Sequence, residues 1–150
     1  MINKSQEEKD LYYMKLALDE ARKAEAKGEI PIGAIIVSNN TILARAYNLT
    51  ETLQDPSAHA EMQALTSATN YIGGKYLDKC TLYVTIEPCP MCAAALAWAQ
   101  LGRLVFGSHD PKRGCSLFSP SLLHKSTKIT YGVLEKECGE LVSNFFKKLR

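Results

Sequence analysis

The chain has 150 residues, of which 46% are hydrophobic and 23% charged, a composition typical of one soluble globular domain spanning residues 1–150. Eighteen lysines and arginines against sixteen acidic residues leave a net charge of +2, which excludes a basic arm that coats nucleic acid but permits a local basic patch. The sequence contains no apolar run of membrane-span length and no N-terminal signal peptide pattern. We therefore expect a cytoplasmic protein with no membrane association.

Hydrophobic patterning predicts helices and strands along the whole chain. In chain order they are a helix ending at Gly28, strands at Ile30–Val37 and Thr41–Tyr47 joined by a tight turn, a helix at Ala58–Ile72, a strand at Thr81–Ile86, a helix at Pro88–Leu101, strands at Leu104–Phe106 and Ile129–Val133, and a closing helix with an apolar stripe from Leu134 to Leu149. Helices that alternate with strands after an initial hairpin predict a layered α/β domain with a mixed sheet.

Two short segments stand out for their chemistry: His59-Ala60-Glu61 and Pro88-Cys89-Pro90-Met91-Cys92. Five cysteines in a cytosolic protein favour metal binding or catalysis over a disulfide framework. Cys89 and Cys92 are three residues apart at a helix start, where both sulfurs point the same way and thiolates are favoured. With His59 they offer three zinc ligands, which leaves one position for water, as in catalytic zinc sites.

Glu61 is the carboxylate close to His59 in the sequence. Residues two apart in a regular helix face nearly opposite ways, so both side chains reach one site only if His59 lies at the helix cap, outside helical geometry. Zinc lowers the pKa of its bound water and makes hydroxide available near neutral pH. Glu61 then takes the water proton and delivers a proton to a leaving amine. H-x-E with P-C-x-x-C is the signature of zinc deaminases that act on nucleobases.

Longer blocks of the sequence resemble the bacterial tRNA-specific adenosine deaminases. These blocks are Ile30–Ala34, Asn48, Asp55–Glu61, Leu82–Cys89, Val105–Gly107 and Asn144–Lys148. The resemblance implies a three-layer α/β/α cytidine-deaminase-like fold, with a mixed sheet of about five strands flanked by helices. It also implies hydrolytic deamination of the wobble adenosine to inosine in the anticodon of an arginine tRNA. The expected enzyme is a homodimer with one Zn²⁺ per subunit and no organic cofactor.

The resemblance also assigns roles to individual residues. It implies that His59, Cys89 and Cys92 hold the zinc and that Glu61 shuttles protons. It further implies that Asn48 hydrogen-bonds the flipped nucleotide, and that Asp110 and Lys112 lie near the anticodon loop. Such a loop presents unstacked bases, so no base needs to be flipped out of a duplex.

Several alternatives stay open from the sequence. The C-x-x-C segment also suits a redox pair, and a structural zinc would need a fourth ligand such as Cys80, His109 or Cys115. The substrate could instead be a free nucleobase or nucleoside of the guanine or cytosine type. A non-catalytic subunit that only helps to bind tRNA is a further possibility, against which Glu61 argues.

Other residues carry weaker signals, each with a structural alternative. Asn48 and Asp110 also suit ordinary turns, and Cys80, Cys115 and Cys138 suit small buried hydrophobes. The helix after Cys92 is apolar on nearly every face, which makes Trp98 a candidate anchor of a two-fold interface. An RNA substrate would be favoured if basic residues gather around one mouth. The candidates are Arg103, Lys112, Arg113, Lys147, Lys148 and Arg150.

Overall fold

The computed structural model describes residues 4–149. Its elements are α1 (Gln6–Ala26), β1 (Gly33–Ser38), β2 (Thr41–Tyr47), α2 (Ala60–Ile72), β3 (Thr81–Ile86), α3 (Pro90–Trp98), β4 (Arg103–Ser108), a short 3₁₀ helix (Cys115–Leu117), β5 (Lys128–Tyr131) and α4 (Glu135–Lys148). Ser5 is the N-cap of α1 and forms a reciprocal capping box with Glu8. The Ser5 hydroxyl accepts from the Glu8 backbone N–H, and the Glu8 carboxylate accepts from the Ser5 backbone N–H.

The five strands form one mixed sheet in the order β2-β1-β3-β4-β5. β1 pairs antiparallel with both β2 and β3, whereas β3, β4 and β5 run parallel to one another. The carboxyl ends of β3, β4 and β5 therefore meet at a single edge of the sheet, where ligands bind in many open α/β folds. The predicted mixed α/β sheet with helices on its faces is confirmed.

Two apolar cores hold the helices on opposite faces of the sheet. One core joins α2 and α3 to side chains such as Ile36, Val84 and Phe106. The other joins α1 and α4 to the opposite side chains of the same strands, including Ile35 and Val105. The buried residues of α2 and α3 that face the sheet are mostly alanines, which lets these two helices approach the strands closely. α2 and α3 thus begin side by side over the same face.

Several predicted boundaries are wrong by a few residues, for identifiable reasons. β1 begins at Gly33 rather than at residue 30, because the Ile32 N–H bonds to the Ile30 carbonyl in a tight turn. α2 and α3 begin two residues late, at Ala60 and Pro90, because each is preceded by a residue in an extended conformation. α3 ends at Trp98, soon before Gln100 takes a positive φ of 54°.

The apolar stripe predicted for the closing helix is shorter than expected. Leu134 precedes α4 with a φ of 53°, and Leu149 lies exposed at its end. Cys138 and Phe145 are the residues of α4 that become buried, while Phe146 is exposed. In the described part of the chain, no helix is both long enough and apolar enough to cross a membrane.

A buried ion pair ties α1 to the sheet. Arg103 of β4 donates two hydrogen bonds to Asp10, at 2.7 and 2.6 Å, and a third to Thr130 at 3.0 Å. The Tyr83 hydroxyl donates to the same carboxylate at 2.7 Å. Burial raises the pKa of Asp10, but the hydrogen bonds from Arg103, Tyr83 and Gln6 lower it by more, to below its usual value. Arg103 is therefore committed to the fold and does not join a basic surface.

Candidate metal centre

The starts of α2 and α3 place the three predicted ligands. His59 is the N-cap of α2, with φ −69° and ψ 154°, and Cys89 is the N-cap of α3, with φ −73° and ψ 170°. Cys92 follows one turn into α3, on the side of the helix that carries Cys89. The extended backbone at His59 is the geometry required for its ring and the Glu61 side chain to share a site. The helix N-termini also direct their partial positive charge toward the two thiols.

The distances between these side chains match a tetrahedral metal site. His59 Nδ1 lies 3.6 Å from Cys89 Sγ and 3.5 Å from Cys92 Sγ. Zn–S bonds of about 2.3 Å and Zn–N bonds of about 2.0–2.1 Å, set at tetrahedral angles, separate nitrogen from sulfur by about 3.5 Å. The three ligand atoms lie within 4.8 Å of one another, and among residues 4–149 they are the one His/Cys/Asp/Glu group that meets this criterion. The donor set therefore fits zinc.

The two thiols differ in acidity because they share a proton. Hydrogen bonding from Cys92 lowers the pKa of Cys89 to about 4, against the opposing effect of burial and with help from the His59 ring. The same contact with Cys89, together with burial, raises the pKa of Cys92 far above its usual value. A thiolate is thus already favoured at Cys89, and metal ligation requires loss of the remaining proton from Cys92.

Glu61 lies beside the three ligands in the first turn of α2. Its side chain is buried, and burial raises its pKa to about 7. The nearby His59 lowers this pKa and Cys89 raises it, which places the carboxyl group within electrostatic reach of both ligands. A buried carboxyl group that exchanges a proton near neutral pH is well suited to general acid–base chemistry.

A second buried carboxylate, Glu87, was missed as a functional candidate by the sequence reasoning. Glu87 directly follows β3, two residues before Cys89, and its carboxylate accepts from the backbone N–H of Asp110 at 3.0 Å and of Ser116 at 2.8 Å. His109 Nδ1 also lies 3.2 Å from Glu87 Oε1. Glu87 therefore links the chain just before Cys89 to the segment 109–116. The sequence signal that could have identified Glu87 is its position as a charged residue between an apolar strand and P-C-x-x-C.

The turn at 110–114 is shaped by Asp110 and closed against Glu87. Asp110 Oδ1 accepts from the backbone N–H of Lys112 and of Arg113, both at 3.0 Å, so its side chain performs the turn role that the sequence allowed. A Cβ on Gly114 would collide with the Glu87 carboxylate, so only glycine fits there. Lys112 and Arg113 are exposed. The hydrogen bond with Cys89 raises the pKa of His59, whereas the positive charge of Arg113 lowers it. The Arg113 guanidinium is therefore within electrostatic reach of the candidate metal centre.

The loop before His59 is fixed in a similar way. Glu29 is buried and accepts from the backbone N–H of Glu51 at 3.0 Å and of Thr52 at 2.6 Å. Asn48 is buried too, and its amide donates to the Ile30 carbonyl while its Oδ1 accepts from the Thr50 N–H. These contacts give Asn48 a turn role. Its contact with substrate stays a prediction.

The remaining cysteines lie outside the ligand cluster. Cys80, Cys115 and Cys138 are buried, as predicted for small apolar residues. Neither Cys80 nor Cys115 joins the ligand cluster of the described residues, and His109 is bonded to Glu87, so no fourth protein ligand for a structural zinc is found there. Of the six basic residues that could form a basic rim, Arg103 is internal, and Arg150 lies outside the described residues.

Comparison with known proteins identifies the family. The model of the MafB19-like deaminases matches residues 8–150. A tRNA-specific adenosine deaminase of Bacillus subtilis (strain 168) is 49% identical over 94% of this chain and 91% of its own. A structure from a study of A-to-I editing by tRNA:A34 deaminases at the wobble position is 40% identical, with a TM-score of 0.81 over 87% of this chain and 98% of that one. A guanine deaminase from Bacillus subtilis is 37% identical, with a TM-score of 0.62 over 65% of this chain and 63% of that one.

These matches confirm the resemblance to a known family that the sequence blocks carry. The tRNA-specific relatives align along nearly the full chain, whereas the guanine deaminase aligns along about two thirds of it. The chain belongs to the MafB19-like deaminases and, among them, to the family of the tRNA-specific adenosine deaminases.

Proposed function

We propose that this protein deaminates the wobble adenosine of a tRNA anticodon to inosine, with water as co-substrate and ammonia as the second product. The observation that carries the proposal is the set of His59, Cys89 and Cys92 at tetrahedral spacing beside the buried Glu61, in a chain of this family. The substrate follows from the relatives, which are named for tRNA and align over nearly the whole chain. Because that substrate is tRNA, we place the reaction in the cytoplasm.

His59, Cys89 and Cys92 would hold one Zn²⁺ per subunit. Their nitrogen and two sulfur donors fit zinc, and three protein ligands leave a coordination position free for water. When bound there, zinc supplies a Lewis acid that lowers the pKa of a coordinated water. This part of the proposal excludes a redox pair, since both thiols of the C-x-x-C segment are then used as ligands.

Glu61 would manage the protons of the reaction. Hydrolysis adds water across the C6–N1 bond of adenine and then releases the exocyclic amine as ammonia. A carboxylate next to the attacking water takes one proton from it and passes that proton to the ring nitrogen. The same group then takes the hydroxyl proton of the adduct and delivers it to the amine, which leaves as ammonia as the C6 carbonyl forms. Glu61 is buried beside the ligands, so water outside the site competes little for these transfers.

Loops on both sides of the centre would contact the RNA. We propose that Asn48 hydrogen-bonds the target nucleotide and that Asp110 and Lys112 contact the anticodon loop of an arginine tRNA. Asp110 and Lys112 lie on the turn that Glu87 fixes, and Lys112 is exposed. An exposed ammonium group there suits a phosphate of the loop.

The proposal includes a homodimer. Trp98 at the end of α3 is 84% exposed, and a groove of about 340 Å³ beside it is lined by Tyr76, Ala97, Gln100 and His124. Tryptophan is enriched among the residues that contribute most binding energy near the centre of protein interfaces. A two-fold contact of α3 with its copy would bury this ring.

The decisive test gives purified zinc-loaded protein an arginine tRNA anticodon stem-loop, and in parallel free adenosine, guanine and cytosine. We expect inosine and ammonia from the stem-loop and no product from the free compounds. A matched stem-loop with guanosine at the target position should release no ammonia. Ammonia from free guanine with none from the stem-loop would replace this proposal by the guanine-type alternative, which the 37% identical guanine deaminase supports.

A further inference from the structure

Two exposed aromatic rings lie together at the carboxyl edge of the sheet. His109 follows the end of β4, and Tyr131 ends the parallel strand β5. Their ring centroids are 4.8 Å apart, with 59° between the planes. Tyr131 is 62% exposed, and the His109 side chain is 43% exposed. We refer to these two rings as the His109–Tyr131 platform.

The platform is held in place from beneath and from the side. The buried ring of Phe106 stacks on Tyr131, with centroids 5.8 Å apart and 21° between planes, and meets His109 edge-on at 5.0 Å. His109 Nδ1 is also bonded to the buried Glu87 carboxylate. Rings ordered in this way lose little further conformational freedom when a ligand stacks on them.

The platform lies next to the candidate metal centre. Glu87, which holds His109, is two residues before Cys89 in the chain, and the Cys115 N–H bonds to the Pro88 carbonyl at 2.9 Å. Between His109 and Cys115 the chain carries the exposed cations Lys112 and Arg113. Aromatic faces combined with nearby cations are the composition with which proteins bind single-stranded nucleic acid.

A groove beside His109 differs in charge from the turn that carries Lys112 and Arg113. It has a volume of about 500 Å³ and is lined by Glu135, Lys136 and Glu140 of α4, among others. Its two carboxylates against one ammonium group disfavour a phosphate. A nucleic acid strand on the platform would therefore run along the Lys112 and Arg113 side, which is the side of the metal centre.

We propose that the His109–Tyr131 platform stacks an unpaired base of the RNA loop, next to the adenosine that enters the metal centre. The inference rests on the proposed function for its substrate class. It makes Tyr131 a residue that determines RNA affinity, with no role in the proton transfers. Because a planar ring is what stacks, phenylalanine can replace Tyr131 and alanine cannot.

The test uses anticodon stem-loops that carry 2-aminopurine directly 5′ or directly 3′ of the target adenosine. Stacking on an aromatic ring quenches 2-aminopurine, so we expect one of the two probes to be quenched by wild type and by Tyr131→Phe, and to stay bright with Tyr131→Ala. Removal of one base–aromatic stack weakens binding by roughly 5- to 150-fold. We expect KM for the stem-loop to rise within that range with kcat unchanged. Tyr12→Ala, an exposed tyrosine of α1 on the opposite face, is the control.

The outcomes separate this inference from the proposed function. If wild type makes no inosine but quenches a probe in a Tyr131-dependent way, the platform stands and the deamination proposal fails. If wild type makes inosine while Tyr131→Ala keeps its KM and leaves both probes unchanged, the platform is overturned. It is also overturned if Tyr131→Ala changes the mass of the oligomer in sedimentation without changing RNA binding, because a second copy of the chain then covers the rings.

Discussion

Replacement of Arg103 by methionine tests how much the buried ion pair contributes to stability. Asp10 and Arg103 side chains are 6% and 19% exposed, and their two hydrogen bonds are 2.6 and 2.7 Å long. Methionine keeps most of the aliphatic stem but leaves the Asp10 charge buried without its partner. Loss of one partner of a buried pair costs about 3–5 kcal/mol. Since Tyr83 and Gln6 still donate to Asp10, we expect the low end, about 3 kcal/mol.

The measurement is urea unfolding of the zinc-loaded protein at one protein concentration, followed by circular dichroism. Arg22→Met is the matched control, because Arg22 pairs with Asp19 on the surface, where the two side chains are 57% and 61% exposed. Such exposed pairs contribute about 0–1 kcal/mol. Asp10→Asn combined with Arg103→Met removes the charge as well and should recover at least half of the loss. An Arg103→Met variant no less stable than Arg22→Met would refute the reasoning.

The pH dependence of this loss has a defined sign. In the wild type the pKa of Asp10 is lowered, so its stabilisation is present above the unfolded-state pKa and is lost as pH falls through the folded-state value. Replacement of Arg103 removes its hydrogen bonds and its charge, both of which lower this pKa, so the pKa of Asp10 is higher in the folded variant than in folded wild type and the variant gains a proton at a higher pH. We therefore expect the difference between wild type and variant to be largest near neutral pH and to shrink toward about pH 5. A difference that grows on acidification would contradict this account.

Three further predictions concern the metal centre. Glu61→Gln should lower kcat on the stem-loop by about 10²–10⁴-fold while zinc content by elemental analysis stays at one per subunit; unchanged turnover would exclude the proton role. His59→Ala should lose zinc, whereas His124→Ala should keep it, and a full zinc complement in His59→Ala would exclude the ligand assignment. Glu87→Gln loses the negative charge that the Asp110 and Ser116 N–H groups face. Its KM for the stem-loop should rise by about tenfold with zinc retained. Loss of zinc from this variant would contradict the interpretation that Glu87 acts only by fixing the loop.

Local signals in the sequence were sufficient for much of the fold. The observed bounds of β2 and β3 are those predicted. The tight turn between β1 and β2 is made by Asn39 and Asn40, whose φ values of 49° and 63° are conformations that asparagine tolerates. The helices predicted to start at Ala58 and Pro88 begin two residues later, directly after their N-caps His59 and Cys89. These two N-caps lie outside helical geometry and are two of the three residues that we propose as metal ligands.

Contacts between distant segments account for what the sequence could not supply. Arg103 was grouped with surface cations, but its partner Asp10 lies 93 residues away in the chain and on another element. Side-chain periodicity places Arg103 on one face of a strand, but it does not predict which residues of other elements pack against that face. Glu87 likewise stands in a recognisable motif, yet its partners at 109, 110 and 116 come from beyond β4.

Two buried carboxylates, Glu29 and Glu87, each fix one loop beside the candidate metal centre. Each accepts two backbone N–H groups of a loop beside the metal ligands, Glu29 from residues 51 and 52 and Glu87 from residues 110 and 116. Burial raises the pKa of each, but these hydrogen bonds lower it by more, so both stay charged and the loops stay ordered near neutral pH. The helix starts thus position the candidate ligands, and the carboxylates fix the loops that we propose contact the substrate. Since the two sets of contacts are separate, changes in the loops can alter which substrate is accepted while the ligand geometry persists.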